Sequence, residues 1–445
     1  MRTILFASVA LIALCNAALA GSNNDAYILQ VGADNTAEQT QGGLISTGNS
    51  ASAFQAGKGN SATQEQSGIT NTGSSYQFGR DNSVQQKQSG LLNNAIAGQA
   101  GKGNRAEQTQ AHLSSGNLAT IGQVGTGNTA TQTQGIEAKI GFLKIPVPSV
   151  ASTATIVQVG KGNGAEQTQS GIGNSAVGMQ FGKDNTASQT QAGSGNDAAA
   201  LQVGYKNDAT QTQAEKSKDN TASAKQFGVK NTASQTQEGS DSDASILQVG
   251  YKNGAAQKQK ENSKDNTASA KQFGAKNTAS QTQGGVGGHE ASILQVGYGN
   301  DAAQTQSNGK GEKANTASTK QFGKGNTASQ NQNGGDLEAA ILQGGSSNWA
   351  KQTQTGTGNE ASILQVGLNN HADQTQGKSG NFASAKQFGA GNTAMQSQYG
   401  TSGELYAFQV GKGNTATQTQ DASASSSVAT AVQFGRGNTA KQTQR

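Results

Sequence analysis

Along most of the chain, small apolar and amide residues alternate with polar ones at a period of two. Asn117, Ala119, Ile121 and Gln123 fall at i, i+2, i+4 and i+6, and Asn128, Ala130, Gln132 and Gln134 repeat the scheme. This is the alternation of a strand, whose successive side chains point to opposite faces. Between the two runs lies Gly-x-x-Asn, where glycine supplies the positive φ of a tight turn. The unit Q-x-G-x-x-N-x-[AV]-x-Q-x-Q occurs 18 times, and Val84 for Ala is its one variation at a fixed position. Nine of the 17 spacings between first glutamines are 22 residues, and every length change falls between units. A fixed period of that size marks a solenoid or array.

The predicted fold is therefore all-β. It is a β-solenoid of about 18 strand–turn–strand repeats in two stacked parallel sheets, open at both ends. Asn, Ala and Gln should face inward, with Ile121, Ile246, Ile293 or Ala two residues before the first Gln. An isolated buried amide is costly because it loses its water contacts. Stacked coil over coil, the same amides can form hydrogen-bonded ladders. Expected ladder residues include Gln123, Asn128, Gln132 and Gln134, then Gln180, Asn185, Gln189 and Gln191, then Gln202, Asn207, Gln211 and Gln213. Coils at about 4.8 Å each would form a rod on the order of 85 Å. Its first and last repeats resemble the middle ones, so both edges are expected to recruit further strands.

The motif N/S-x5-Q-x-G-x-x-N-x-A-x3-Q resembles the curlin repeat, the building unit of bacterial curli amyloid fibres. Ala291 to Gln306, ASILQVGYGNDAAQTQ, matches it at every defining letter from the first Gln onward. The chain is identified as an unusually long member of that family. Asn often replaces the leading Ser (Ser152, Ser242 and Ser427 keep it), and the polar leader before the first repeat is nearly missing. The resemblance implies an extracellular fibre, other curli-like subunits or a nucleator as partners, and export through outer-membrane secretion machinery.

Four segments are expected. Residues 1–20 read as a secretory signal peptide: Arg2, an apolar run from Ile4 to Leu14, and Ala18-Leu19-Ala20 for cleavage near Ala20. Residues 21–134 hold repeats one to five and residues 151–445 repeats six to eighteen. Residues 135–150 are an inserted loop with both prolines, Pro146 and Pro148. The single cysteine, Cys15, lies in the signal segment, so disulfides do not stabilise the remainder. With 62 Gly and 4% aromatic residues the composition alone would suggest disorder, and the strict period overrules it.

Charge adds one candidate surface. A Lys or Arg occupies the two-residue turn between Gly and Asn in 12 repeats: Lys58, Arg80, Lys102, Lys161, Lys183, Lys206, Lys230, Lys252, Lys276, Lys324, Lys412 and Arg436. Stacked along one edge, they could hold extracellular DNA or acidic polysaccharide. They could equally act as gatekeepers that keep the monomer soluble. Outward on the first strand, Leu247/Val249, Lys271/Phe273, Leu294/Val296 and Lys320/Phe322 alternate. Such a stripe suits either lateral bundling or simple cover for the sheet. Thr precedes the last Gln in 13 repeats, as strand propensity favours.

No catalytic constellation or cofactor motif is found. His112, His289 and His371 lack metal-ligand neighbours in sequence and are expected in loops or outward positions. The expected function is a secreted structural subunit of curli-like amyloid fibres, a homopolymer grown by templated β-edge addition, without enzyme activity. The alternative is a monomeric β-solenoid adhesin.

Overall fold

The computed structural model describes residues 23–111, 113–140, 143–309 and 312–445, so the expected signal segment lies outside them. The described residues are all-β, with no helix. Each repeat makes one coil: a first strand of nine residues, such as Glu290–Tyr298, then a turn, then a second strand such as Asp301–Ser307. First strands stack on first strands and second on second, always parallel and with like letters in register. Gln248 pairs with Gln272, which pairs with Gln295. On the opposite sheet Gln257 pairs with Gln281, which pairs with Gln304. The β-solenoid expected from the period is therefore the fold.

The chain divides into two compact units, Met1–Asp219 and Asn220–Arg445. The first holds eight coils and the second ten. Within each unit, two parallel sheets enclose a thin interior. Most buried aliphatic side chains there are alanines, with a few isoleucines stacked among them, as in the cluster Ile341, Ile363, Ala385 and Ala407. Two sheets spaced by alanine leave room for extended amides rather than for a broad apolar core.

The turn explains one letter of the motif. Gly274 sits at φ +112, and a Cβ there would collide with the main-chain carbonyl of Gly297 in the next coil. The last residue before the turn Asn is also left-handed: Gly299 at φ 66, Asp184 at φ 55, Lys276 at φ 55. Gly, Asp and Asn adopt that region at least cost.

Residues 135–150 break the spacing without breaking the stack. Gln134 and Gln169 pair directly across the insertion. Two antiparallel strands, Ile136–Ile140 and Leu143–Val147, form a small sheet of their own, and Ser149–Val150 returns to pair with Gly171–Ile172.

Candidate functional site: the amide interior and the basic edge

The interior glutamines sit where the alternation places them, and each does two things. Gln123 Nε2 donates to Gln158 Oε1 at 2.8 Å, one coil on, and to the Arg105 carbonyl at 2.9 Å on the opposite sheet. Gln132 donates to Gln167 Oε1 at 2.9 Å and across to the Thr120 carbonyl at 2.9 Å. Gln134 reaches Gln169 Oε1 at 3.0 Å and the Leu118 carbonyl at 3.1 Å. Thus one N–H of each amide runs along the stack and the other ties the two sheets together. A buried carboxamide has two donors to satisfy, and this geometry satisfies both.

The same pattern holds at Gln180, which donates to Gln202 at 2.8 Å, at Gln189 to Gln211 at 2.7 Å, and at Gln191 to Gln213 at 2.9 Å. Across the interior, Gln202 reaches the Thr186 carbonyl, Gln211 the Ala199 carbonyl and Gln213 the Asp197 carbonyl, at 2.7–3.0 Å.

The turn asparagines run the opposite way. The Asn128 main-chain N–H and Nδ2 both donate to Asn104 Oδ1 at 3.1 Å, one coil back, and Nδ2 also reaches the Gly160 carbonyl at 3.2 Å, one coil on. Asn185 on Asn163 and Asn207 on Asn185 repeat it, each at 3.1 Å. One asparagine therefore clasps three successive coils, which accounts for its presence in every repeat.

The column six residues before the first Gln is less strict, and its exceptions are informative. Leu337, Gly403 and Ser242 stand there, yet each donates its main-chain N–H to the preceding Asn Oδ1 at 2.9–3.0 Å. Because that bond needs only a backbone, the side chain can change.

His289 occupies this column too, which corrects its expected loop or outward placement. It is 0% exposed. Its N–H donates to Asn266 Oδ1 at 2.8 Å, and its Nδ1 accepts from the Asn315 N–H at 3.0 Å, as an Asn oxygen would. Nδ1 is thus unprotonated and the proton sits on Nε2, which is buried without a hydrogen-bond partner. The spacing to Gln295 already assigned this position; judged residue by residue, the histidine hid it. His371 lies outward, its ring stacked on Trp349 at 4.1 Å, and His112 lies outside the described residues.

Burial holds the His289 imidazole below its ordinary value. A lowered folded pKa means that the unfolded chain binds the proton more tightly, so stability falls as pH drops below about 6.5. Protonation also removes the acceptor that Asn315 uses. Denaturant midpoints measured at pH 7.5 and pH 5 should fall on acidification, and His289→Asn should make that fall smaller. An identical pH slope in both chains would refute this account of the histidine.

The basic residues are all exposed, but they form two columns rather than one. Lys58, Arg80 and Lys102 stack in register at the end of the first strand, as do Lys161 and Lys183. Lys324, Lys412 and Arg436 hold the same position. Lys206, Lys230, Lys252 and Lys276 instead occupy the left-handed position, φ 54–57. Three of them lie by tyrosines: Lys206 is 5.1 Å from the Tyr205 ring centre, Lys252 5.2 Å from that of Tyr251, and Lys276 Nζ donates to Tyr298 Oη at 2.7 Å. That hydrogen bonding raises the pKa of Lys206 and Lys276, so both remain charged at neutral pH. Lys58 lies 3.8 Å from Asp34 and Lys183 3.9 Å from Asp184, both pairs well exposed. Exposed pairs of this kind contribute little and leave the edge cationic.

Among the described residues, no group of three or more His, Cys, Asp or Glu is placed to hold a metal ion. No curated protein matches the chain. The family model of the curlin associated repeat matches residues 218–256. The letters of that segment recur in register through every coil described above. Residues 218–256 are thus similar to the curlin repeat, and repeat and fold together suggest a structural or adhesive role at the cell surface or outside it.

Proposed function

We propose that the chain is a secreted structural subunit of curli-like functional amyloid, assembling into fibres in a biofilm or adhesion matrix by templated addition of β edges. The observation that carries this is the translational ladder. In the glutamine columns and the turn-asparagine column the amides bond to the same amide one coil away, so a coil from another copy offers the groups that the next coil of the same chain offers. The ladder also has a direction: each glutamine amide donates to the glutamine of the next coil, and each turn-asparagine amide to the asparagine of the preceding one. Donors therefore meet acceptors only when copies add head to tail.

The test uses purified chain lacking residues 1–20. Thioflavin fluorescence should rise with a lag that seeds abolish, and aligned fibres should give a reflection near 4.7–4.8 Å. A chain that stays monomeric without that reflection would instead be an adhesin rod. One observation favours that second reading: the ladders are already satisfied within a single chain, which suits a stable monomer. Other curli-like subunits, a nucleator and outer-membrane secretion machinery are the expected partners in the fibre case.

The basic edge is proposed to hold a polyanion such as extracellular DNA or acidic polysaccharide. Column spacing of about 4.8 Å lies inside the Debye length of roughly 8 Å, so the charges act together on a phosphate chain. Bound DNA should be shed steeply as salt rises, and changing Lys58, Lys102, Lys161 and Lys183 to Gln should flatten that slope. Equal slopes would leave the edge as a solubility device.

A further inference from the structure

The outward face of the first-strand sheet in residues 220–343 carries a charge pattern that the fold itself does not use. Two kinds of coil alternate there. One has Lys just before the first Gln and Thr four residues earlier: Thr221 with Lys225, Thr267 with Lys271, Thr316 with Lys320. The other has an acid in place of Thr and Leu in place of Lys: Asp243 with Leu247, Glu290 with Leu294, Glu338 with Leu342. In register, the lysines form one column and the acids another. Coils that bear the lysine never bear the acid.

All six charged side chains are exposed, and none forms an ion pair among the described residues. The spacing forbids it: four residues along a strand separate the columns by about 13 Å. A chain that only needed to offset its own charges would place both signs in one column, where adjacent coils lie about 4.8 Å apart. Between the columns runs a third, of small hydroxyl side chains: Ser223, Ser245, Ser269, Ser292 and Ser318.

We infer that this sheet face pairs with the same face of a second copy, the two related by a half-turn about an axis parallel to the stack and centred on the serine column, with an offset of one coil. The half-turn lays each lysine column over the partner's acidic column. The one-coil offset brings acid-bearing coils opposite lysine-bearing ones. Lys225, Lys271 and Lys320 then face Asp243, Glu290 and Glu338 of the partner in one direction of offset. In the other direction Lys271 and Lys320 face Asp243 and Glu290, so both copies are satisfied together. The small serines allow the sheets to approach to about 10 Å. Running the second copy in the opposite direction would set lysine on lysine and acid on acid. The pairing is therefore parallel as well as self-complementary. It is a sideways contact and does not depend on growth at the coil ends.

The test reverses each column separately. One variant carries Lys225→Glu, Lys271→Glu and Lys320→Glu, and the other Asp243→Lys, Glu290→Lys and Glu338→Lys. Sedimentation of freshly refolded chain, before any thioflavin signal, reports sideways pairing apart from fibre growth. Each variant alone should pair at least tenfold more weakly than the unaltered chain at low salt. Their equimolar mixture should restore pairing, and salt should weaken it in the mixture and the unaltered chain alike. Because all six positions are outward, circular dichroism and thermal midpoints should stay unchanged. A third variant with the three lysines changed to Gln, expected to pair weakly and not to be rescued by mixing, separates charge matching from general repulsion. Variants that pair as the unaltered chain does, or a mixture that fails to pair, would overturn the inference.

Discussion

Gly274→Ala should cost upwards of about 3 kcal/mol and open the stack at its own coil. The residue lies at φ +112, where an L side chain is strained, and the added methyl would collide with the Gly297 carbonyl rather than with a movable side chain. Relief requires the turn to move. The Asn253 side chain donates to the Gly274 carbonyl at 3.0 Å, so moving the turn also loosens an asparagine clasp. In a solenoid each repeat is stabilised by its neighbours, so a failed coil weakens both sides. Urea unfolding and limited proteolysis should show a lowered midpoint and new cleavage close to residues 274–277. Gly254→Ala is the control, because a methyl added at that glycine would meet nothing within 4 Å and its φ is not positive. Equal stability of the two variants would defeat the explanation of the turn glycine.

Replacing Gln281, Gln304 and Gln330 together by Leu should be the second large effect. The triple change removes the bonds from Gln257 to Gln281, Gln281 to Gln304, Gln304 to Gln330 and Gln330 to Gln352, all 2.7–2.9 Å. It also strands the carbonyls of Ser269, Ser292 and Ser318 that these amides reach across the interior. Each lost bond is worth about 0.5–1.5 kcal/mol, and buried unpaired groups add to the loss. Leucine has similar bulk and recovers some burial, so the net effect should be several-fold slower fibre growth and reduced stability rather than total unfolding. Thr282→Val with Thr305→Val, outward on the same strands, should leave both measurements nearly unchanged. Unaltered lag time in the glutamine variant would show that the ladder does not drive assembly.

What could be read from the letters is whatever translation repeats. The Gln and Asn columns, the inward alanines and the turn glycine are fixed because each meets its own copy one coil away. A stack of identical contacts therefore writes itself into the sequence. Features that depend on a second coordinate were harder to see. The basic residues fall into two columns because the two turn positions differ in φ, which spacing alone does not encode. The acidic column of Asp243 and Glu290 is hidden along the chain because Thr221 and Thr267 fill the same position in the coils between, and only the register of the sheet joins the acids. His289 was visible in principle from its distance to Gln295, but its chemistry drew attention away from its position. In the insertion, Ile136, Ala138 and Ile140 alternate as a strand does, while Pro146 and Pro148 suggested a loop.

The bond from Gln134 to Gln169 spans 35 residues of sequence, yet at 3.0 Å it is a ladder step like the others. All variation in repeat length falls in the arc that follows the third glutamine, and none falls in the Gly-to-Asn turn. The two sides of a coil therefore have unequal evolutionary freedom. The turn side keeps the count, since a residue added there would unseat an asparagine and a glycine at once. The arc side records history, because added sequence can bulge away while the glutamines above and below still meet. A lineage of such chains can lengthen by duplicating whole coils and diversify by decorating arcs, with neither event requiring a compensating change in the interior.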